Sequence, residues 1–535
     1  MKTSLRTHTE SMHWGRILFV RMRPFMALLL SAYALGTLIF WLIPATGPAG
    51  AYRMDLLDAL YMVAITGTTI GFGEFPTPFN DHQRLFVLVY AHLVVVSWLF
   101  FAGDFIGAIQ STAFKRAFST WKFRRRVRAL DRNYMVVIGY GQTGLRVVDY
   151  LTDYDIPCIV IDRNPVKIQH IDAMDFKVPV LGHVGDGSDP RELEDAGALR
   201  GQCVAVVALT DNDRANLGVA TSMKLLAPSK ELFVRSEHDD TTRNLLSFGT
   251  DHVLDPFRLF ARSLALRVAQ PLHYAVADQL LDPGQKQVEV PDAIEGDQWV
   301  LCGYGRLGRA IHESFSQRGL TVHVVDPAVQ EASPMWTRGL GTEEHTLRAA
   351  DLEQAAGIIA GTNHDPDNLS IWMTARAAQP NLVGVGRLNR PMNSPVFDKA
   401  KWDVLMNPAD VIAEELVGRL RTPMLKAFIV HLESQSEQWV HELLSRVQGL
   451  DELETWDVKL SPKRAPLIHA QLSDTHSRAI TLNHILVPGV VCLKARQGDG
   501  VVFTPQPDLP LHSDDRLLFW GRAEGRALML KKLGA

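Results

Sequence analysis

Two stretches of this chain run for 18 residues without a charge: Met26 to Ile43, MALLLSAYALGTLIFWLI, and Leu85 to Ala102, LFVLVYAHLVVVSWLFFA. Eighteen helical residues rise about 27 Å, close to the roughly 30 Å hydrocarbon core of a bilayer. Each run therefore predicts a membrane-crossing helix, the fold that satisfies every backbone group from within. A cleavable leader competes for the first run, since basic residues precede it and PATGPAGA follows. The second span would then orient against the charge. Arg16, Arg21 and Arg23 precede the first run, and Lys115, Arg116, Lys122, Arg124, Arg125, Arg126 and Arg128 follow the second; only Arg53 and Arg84 lie between. The cytoplasmic side collects Lys and Arg, so both termini are expected inside, residues 44 to 82 outside, and the chain multi-pass in the inner (plasma) membrane. Beside a span, KFRRRVR fits topology and the lipid bilayer's headgroups better than nucleic acid. A net charge of −4 adds no case for nucleic acid.

The outside segment holds a second constraint. Residues 55 to 66, DLLDALYMVAIT, contain neither glycine nor proline and predict a short helix dipping into the membrane. The chain must then return through GTTIGFGEFP, and irregular backbone at that depth is tolerated only where it lines a water-filled path. Gly71 and Gly73 are free to adopt angles that aim successive carbonyls one way, and Thr69 adds a hydroxyl. Four copies around an axis would replace a cation's water shell.

TTIGFGE resembles the potassium-channel selectivity filter, usually TVGYGD, and the order of span, pore helix, filter and span resembles the two-helix potassium channel. The resemblance implies Thr69, Ile70, Gly71, Phe72 and Gly73 as the K+ filter, supported by Thr66, Thr68 and Glu74. Three departures stand out: Ile70 for valine, Phe72 without the tyrosine hydroxyl, and Glu74 for aspartate. No tryptophan lies between residues 55 and 68 to receive such a hydroxyl. The second run has no internal glycine, so Gly103 and Gly107 are the first hinge candidates. Asp104 either faces the pore mouth or is simply solvated, and His92 reads as packed or capped.

From residue 133 strands alternate with helices, predicting parallel α/β sheets. YMVVIGYGQTGLRVVDYL reads as strand, Gly139-x-Gly141-x-x-Gly144 turn and helix, and CIVIDRN places Asp162 at the end of the next strand, twenty-three residues after Gly139. This is a dinucleotide-binding context: pyrophosphate at the helix N-terminus, carboxylate on the ribose. Tyr140, Gln142 and Thr143 complete the turn. The unit recurs at an offset of 164, with Gly303, Gly305, Gly308 and Asp326. Later landmarks repeat at 152: ALTDNDRANL with AGTNHDPDNL, Arg235 with Arg387, Asp255-Pro256 with Asn407-Pro408, Pro271 with Pro423. A tandem duplication that has lost twelve residues in its second copy accounts for both offsets.

Joined to a pore, these repeats resemble the RCK domain (regulator of potassium conductance, TrkA-N-like). The resemblance implies a Rossmann-like lobe, a crossover helix pair (256 to 282 and 408 to 434) that dimerises, and a C-terminal α+β lobe after the second copy only. The expected organisation is an N-terminal cytoplasmic segment 1–23, pore domain 24–111, basic linker 112–132, first RCK domain 133–285, second RCK domain 297–450 and C-terminal lobe 451–535. The first copy, with Arg163, Asp186, Thr210 and Asp211 added to its fingerprint, is expected to bind NAD or NADH ahead of ADP or ATP. The second copy lacks a clean GD pattern, so its pocket differs or serves as scaffold. Calcium at HDD (238 to 240), EDAG (194 to 197) or TEEH (342 to 345) competes with solvated carboxylates as the reading of those groups. His183, His238 and His364 read as loop or surface histidines. Four scattered cysteines exclude a CxxC metal site.

The resulting expectation is a homotetrameric, ligand-gated potassium channel and not an enzyme. A membrane-anchored regulatory subunit of a transporter and a membrane-tethered NAD-dependent oxidoreductase are the alternatives. The oxidoreductase has no substrate domain left over after the repeats.

Overall fold

The apolar runs become two long helices, α1 (Trp14–Leu42) and α3 (Asp81–Gln110), with α2 (Leu56–Gly67) between them and α4 (Thr112–Ala129) after them. The computed structural model describes residues 14–47, 50–72, 79–281, 288–330, 333–447, 450, 452–473 and 479–534. The chain divides between Asp131 and Arg132 into two compact units. Both long helices are long and apolar enough to cross a membrane. α1 starts at Trp14 and runs on through Pro24, so it takes in residues 14 to 23. The described basic linker is itself the helix α4. A hairpin of β1 (Pro44–Gly47) and β2 (Gly50–Arg53) leads to α2.

Caps define the helix starts. Asp55 accepts the Leu56 N–H at 2.8 Å, and Asn80 forms a capping box with Gln83 while its amide donates to Pro44 O at 2.6 Å. Ala59 and Val63 of α2 are fully buried in a cluster with Phe40, Tyr90 and Val94, so the short helix is wedged between the long ones.

The second unit holds two six-stranded sheets of the same topology. The first comprises β3 (Tyr134–Ile138), β4 (Cys158–Asp162), β5 (Val180–Val184), β6 (Cys203–Ala208), β7 (Glu231–Arg235) and β8 (His252–Leu254), in the order β5-β4-β3-β6-β7-β8. The second comprises β9 (Gln298–Cys302), β10 (Thr321–Val325), β11 (Trp336–Thr337), β12 (Gly357–Ala360), β13 (Val383–Arg387) and β14 (Val404–Met406), in the order β11-β10-β9-β12-β13-β14. All pairings are parallel, and both sheets reverse direction beside their first strand, which opens a crevice at the strand ends. The first sheet has helix Pro165–Ala173 between β4 and β5; the second passes from β10 to β11 without a helix among the described residues, which is where most of the missing residues fall.

The two copies exchange their crossover helices. Helix Pro408–Arg421 puts Ile412, Ala413, Leu416 and Val417 into the core under β3 and β4. Helix Pro256–Ala269 reciprocally puts Phe257, Phe260, Ala261, Leu264 and Ala265 into the core under β9 and β10. The arms then break at Pro271 and Pro423 and continue as Pro271–Leu281 and Leu425–Glu433. A C-terminal antiparallel sheet, β15 (Leu453–Lys459), β16 (Val490–Gln497), β17 (Gly500–Phe503) and β18 (Arg516–Arg522), caps both arms. Gln279 fastens it, donating to Leu453 O at 3.0 Å and accepting from Trp520 Nε1 at 2.8 Å. The copy without a lobe thus leans on the lobe of the other.

Candidate functional sites

At the end of α2 the N–H groups of Thr68, Thr69, Ile70 and Gly71 all turn back onto carbonyls of Ala64, Ile65 and Thr66. The Thr68 hydroxyl donates to Ala64 O, and that of Thr69 to Thr68 O. Thr69 and Gly71 have positive φ (59° and 61°), with Ile70 between them on the ordinary side. A β-branched residue pays strain there, as expected only where the surroundings fix an unusual backbone. Ile70 and Phe72 are exposed. Gly73 and Glu74 lie outside the described residues.

Tyr33 of α1 and Trp98 of α3 supply an aromatic brace beside the short helix, which carries no tryptophan of its own. The indole N–H donates to the Tyr33 hydroxyl at 3.0 Å, and a Cβ on Gly67 would stand 2.6 Å from that hydroxyl. His92 caps locally, Nδ1 lying 2.7 Å from Leu88 O. Asp104 is not simply solvated: it pairs with Arg21 of α1 at 3.2 Å and is 16% exposed.

In the second unit a cavity of about 720 Å³ opens at the C-terminal edge of the first sheet. Gly139, Gly141, Gln142 and Thr143 form one wall, Asp162, Arg163 and Asp186 the next, and Thr210 and Asp211 a third. Tyr140 contributes its N–H, which donates to Asp162 Oδ2 at 2.7 Å, while Asp162 Oδ1 accepts from Asn164 N at 2.8 Å. Lys167 Nζ lies 3.4 Å from the same carboxylate. Burial works to raise the Asp186 pKa, but hydrogen bonds from Ser188 and Arg163 outweigh it and hold the carboxyl below its usual range. Gly144 packs the helix onto the strand, a Cβ there falling 1.9 Å from Gly139 O.

Arg306, Arg387 and Asn389 of the second copy close the cavity. Arg235 and Arg306 converge on one carboxylate, Glu237, which accepts from both, while Arg387 donates to Asn363 Oδ1 at 2.8 Å. Arg306 and Arg387 also lie over the Phe257 ring, at 5.2 and 4.8 Å. Burial, reinforced by Arg306, pushes Arg387 down to about 10, and burial lowers Arg235 and Arg306 as well. The Nε atoms of Arg235 and Arg387 are buried without a partner among the described residues. Such a site favours an anion.

Sequence reasoning passed over Lys167, Glu237 and the closing role of Arg306 and Arg387. It also missed Asn216, fully buried, whose amide grips Thr210 and the Arg235 carbonyl at 2.6 to 3.0 Å. Asn368 repeats this with Thr362 and Arg387, so the shared Thr-to-Asn spacing of the repeat was the available signal.

The second copy keeps the turn but not the walls. Tyr304 N donates to Asp326 at 2.6 Å, and a Cβ on Gly308 would fall 2.1 Å from Gly303 O. A Cβ on Gly341 would meet Cys302 as one on Gly187 would meet Ile138, which makes Leu340 the counterpart of Asp186. Pro327 likewise replaces Arg163. His183 is not a surface residue: it is buried in β5, 2.8 Å from Glu192. His238 and His364 are exposed at helix starts. Asp239 pairs with Arg258, Asp240 with Arg243 and Glu344 with Arg348. Among the described residues no group of three His, Cys, Asp or Glu is placed to hold a metal.

Comparison with known proteins adds independent matches. Residues 27–111 match the ion channel family model, and residues 135–256 and 299–408 both match the TrkA-N domain. The chain joins an ion-channel domain to two TrkA-N domains. It is thus a membrane protein with the two-helix and double Rossmann architecture expected from its sequence. Potassium channel protein 1 of Methanocaldococcus jannaschii is 25% identical over 236 residues, 43% of this chain and 64% of that protein. Probable potassium channel protein 2 of the same organism is 30% identical over 96 residues, 16% of this chain and 28% of that protein. The chain therefore spans less than two thirds of the length of these relatives. Among solved structures, the GsuK channel is 16% identical, with a TM-score of 0.48, 97% of this chain and 99% of that one covered.

Proposed function

We propose that this protein is a potassium channel, assembled from four copies and gated by a nucleotide in the cavity of its first TrkA-N domain. The observation that carries the proposal is the join itself: a strained backbone at the end of a wedged short helix, on the same chain as a cation-walled Rossmann cavity. Kinship with potassium channel protein 1 supports potassium as the ion.

In this reading residues 24–111 form the pore domain, with Thr69 to Gly73 as the filter and Thr66, Thr68 and Glu74 behind it. With the N–H groups of Thr69, Ile70 and Gly71 bonded to the helix end, the filter residues turn carbonyls to the ion, and the negative end of the α2 dipole faces the same point. Four copies complete the coordination shell and cover the exposed Ile70 and Phe72. Both termini lie in the cytoplasm.

The nucleotide rests its pyrophosphate on the Gly139 to Gly144 turn, its ribose near Asp162, and its remaining polar edge toward Asp186, Thr210 and Asp211. Dinucleotides and adenine nucleotides both fit this set of groups, NAD or NADH ahead of ADP or ATP. Its phosphates answer the three guanidiniums, two of which belong to the other copy. Binding therefore tightens the seam between copies, and a differential affinity of about 1 to 3 kcal/mol per site, repeated around the ring, shifts the closed–open population. In this reading the nucleotide acts as a signal and is not consumed.

Asp162→Ala tests the site. Weakened nucleotide binding together with lost ligand response of potassium flux supports it; a normal flux response in the variant refutes it.

A further inference from the structure

α4 leaves α3 through a single residue. Ser111 breaks the helix at ψ 141°, its hydroxyl donating to Ala108 O at 2.6 Å and accepting the Phe114 N–H at 3.3 Å. Trp14, the first residue of α1, then packs edge-on to Phe114, Phe118 and Trp121 with ring centroids 6.2, 5.7 and 5.9 Å apart. Positions 114, 118 and 121 share one helix face. Two spans with a re-entrant segment between them bring the start of α1 and the end of α3 to the same side of the bilayer. The aromatic contact therefore keeps α4 at the interfacial level that tryptophan favours.

The rest of α4 is cationic. Between Thr112 and Ala129 there are seven Lys or Arg and no Asp or Glu. Lys115, Arg116, Lys122 and Arg125 are exposed, with the Arg125 guanidinium 5.8 Å from the Trp121 ring centroid. Even packed on Trp14, Phe118 and Trp121 stay 40% and 38% exposed. An aromatic face beside the exposed cations Lys115, Arg116, Lys122 and Arg125 is the composition of a helix lying in a membrane surface.

We infer that α4 lies along the inner surface of the bilayer and binds anionic phospholipid headgroups. Charge complementarity selects that occupant, since the cytoplasmic leaflet presents fixed negative charge where the aromatic row anchors the helix. A soluble polyanion would match the cations but leave the aromatic row unexplained. Because α4 follows α3 directly, headgroups that hold α4 also restrain the end of the inner span, and the anionic lipid fraction tunes opening.

The test uses the full chain in phosphatidylcholine vesicles containing trace spin-labelled phosphatidylglycerol or phosphatidylcholine, at fixed ionic strength. Phosphatidylglycerol should be retained about fivefold better at the α4 sites, the ratio one cation near such a surface supplies. The preference should fall to near parity in Lys115→Gln/Arg116→Gln/Lys122→Gln, with nucleotide binding unchanged. Lys115→Gln/Arg125→Gln is the second variant should the triple one fail to fold. Parity in the wild type, or an undiminished preference in the folded variants, overturns the inference. So does erasure of the preference by inorganic phosphate at constant ionic strength, which marks a free-anion site. Binding of single-stranded RNA that the variants lose would assign the surface to nucleic acid instead. The inference rests on the membrane topology proposed above, but its readout involves no ion flux, so its failure leaves the channel reading standing.

Discussion

Replacing Gly141 by alanine separates the nucleotide site from the fold that carries it. Gly141 sits at φ −83°, ψ −162°, which any residue adopts, and a Cβ there would meet only Lys167 Nζ, at 3.9 Å. As a helix-capping position without a side-chain bond it should change stability by no more than about 1 kcal/mol. That Cβ would nevertheless stand where a pyrophosphate must approach the helix N-terminus. Displacing one phosphate oxygen from its backbone donor costs at least tenfold in affinity, or about 1.4 kcal/mol. Gly144→Ala is the contrasting change. Its Cβ would fall 1.9 Å from Gly139 O, so helix and strand must part by about 1 Å or more, a strain of roughly 1 to 3 kcal/mol expressed as a lower unfolding temperature. Gly305→Ala, with nothing within 4 Å, is the control in the second copy. Calorimetric titration of NAD and ADP with thermal unfolding of the same samples reads both quantities. Unchanged affinity in Gly141→Ala, or an equal loss in Gly305→Ala, would refute the assignment to the first copy.

Three further outcomes follow from the same geometry. Arg387 is held down to about 10 by burial, so its charge costs the folded state stability at every pH below that value, and the cost fades as pH rises toward the unfolded value. Arg387→Gln should thus stabilise nucleotide-free protein at pH 7 by about 1 kcal/mol after loss of its contacts with Phe257 and Asn363, read as a higher unfolding temperature, while weakening nucleotide binding. Gln279→Leu orphans the Trp520 N–H and the Leu453 carbonyl in a buried seam and should destabilise the C-terminal lobe by about 2 to 5 kcal/mol, read by urea unfolding. Breaking the half-exposed Arg21–Asp104 pair by Asp104→Asn should shift the open probability by a few-fold, about 0.5 to 1 kcal/mol, and the swapped pair Arg21→Asp/Asp104→Arg should restore it.

Local pattern carried much of this architecture in the sequence. Charge-free runs, a glycine turn between strand and helix, and a repeat with two offsets are each legible because their cause is local. The walls of the cavity were legible at the glycine turn, Asp162, Arg163, Asp186, Thr210 and Asp211 of the first copy, though not at Lys167 or Glu237. They were not where Arg306 and Arg387 reach across, since nothing near Gly139 in sequence points to residues 167 and 248 positions away. Asp104 was read without its partner for the same reason, because Arg21 is 83 residues earlier. His183 reads in the sequence as a loop or surface residue; its burial follows from a parallel sheet covered on both faces.

The pore and its sensor are tested together by potassium flux through purified protein in liposomes, with sodium as the competing ion and NAD, NADH, ADP or calcium added in turn. The account predicts barium-blocked, potassium-selective flux that a nucleotide modulates and that Asp162→Ala leaves unmodulated. Intact tetramers that conduct no potassium under any of these ligands would contradict it and leave the chain a membrane-anchored regulator of a separate transporter.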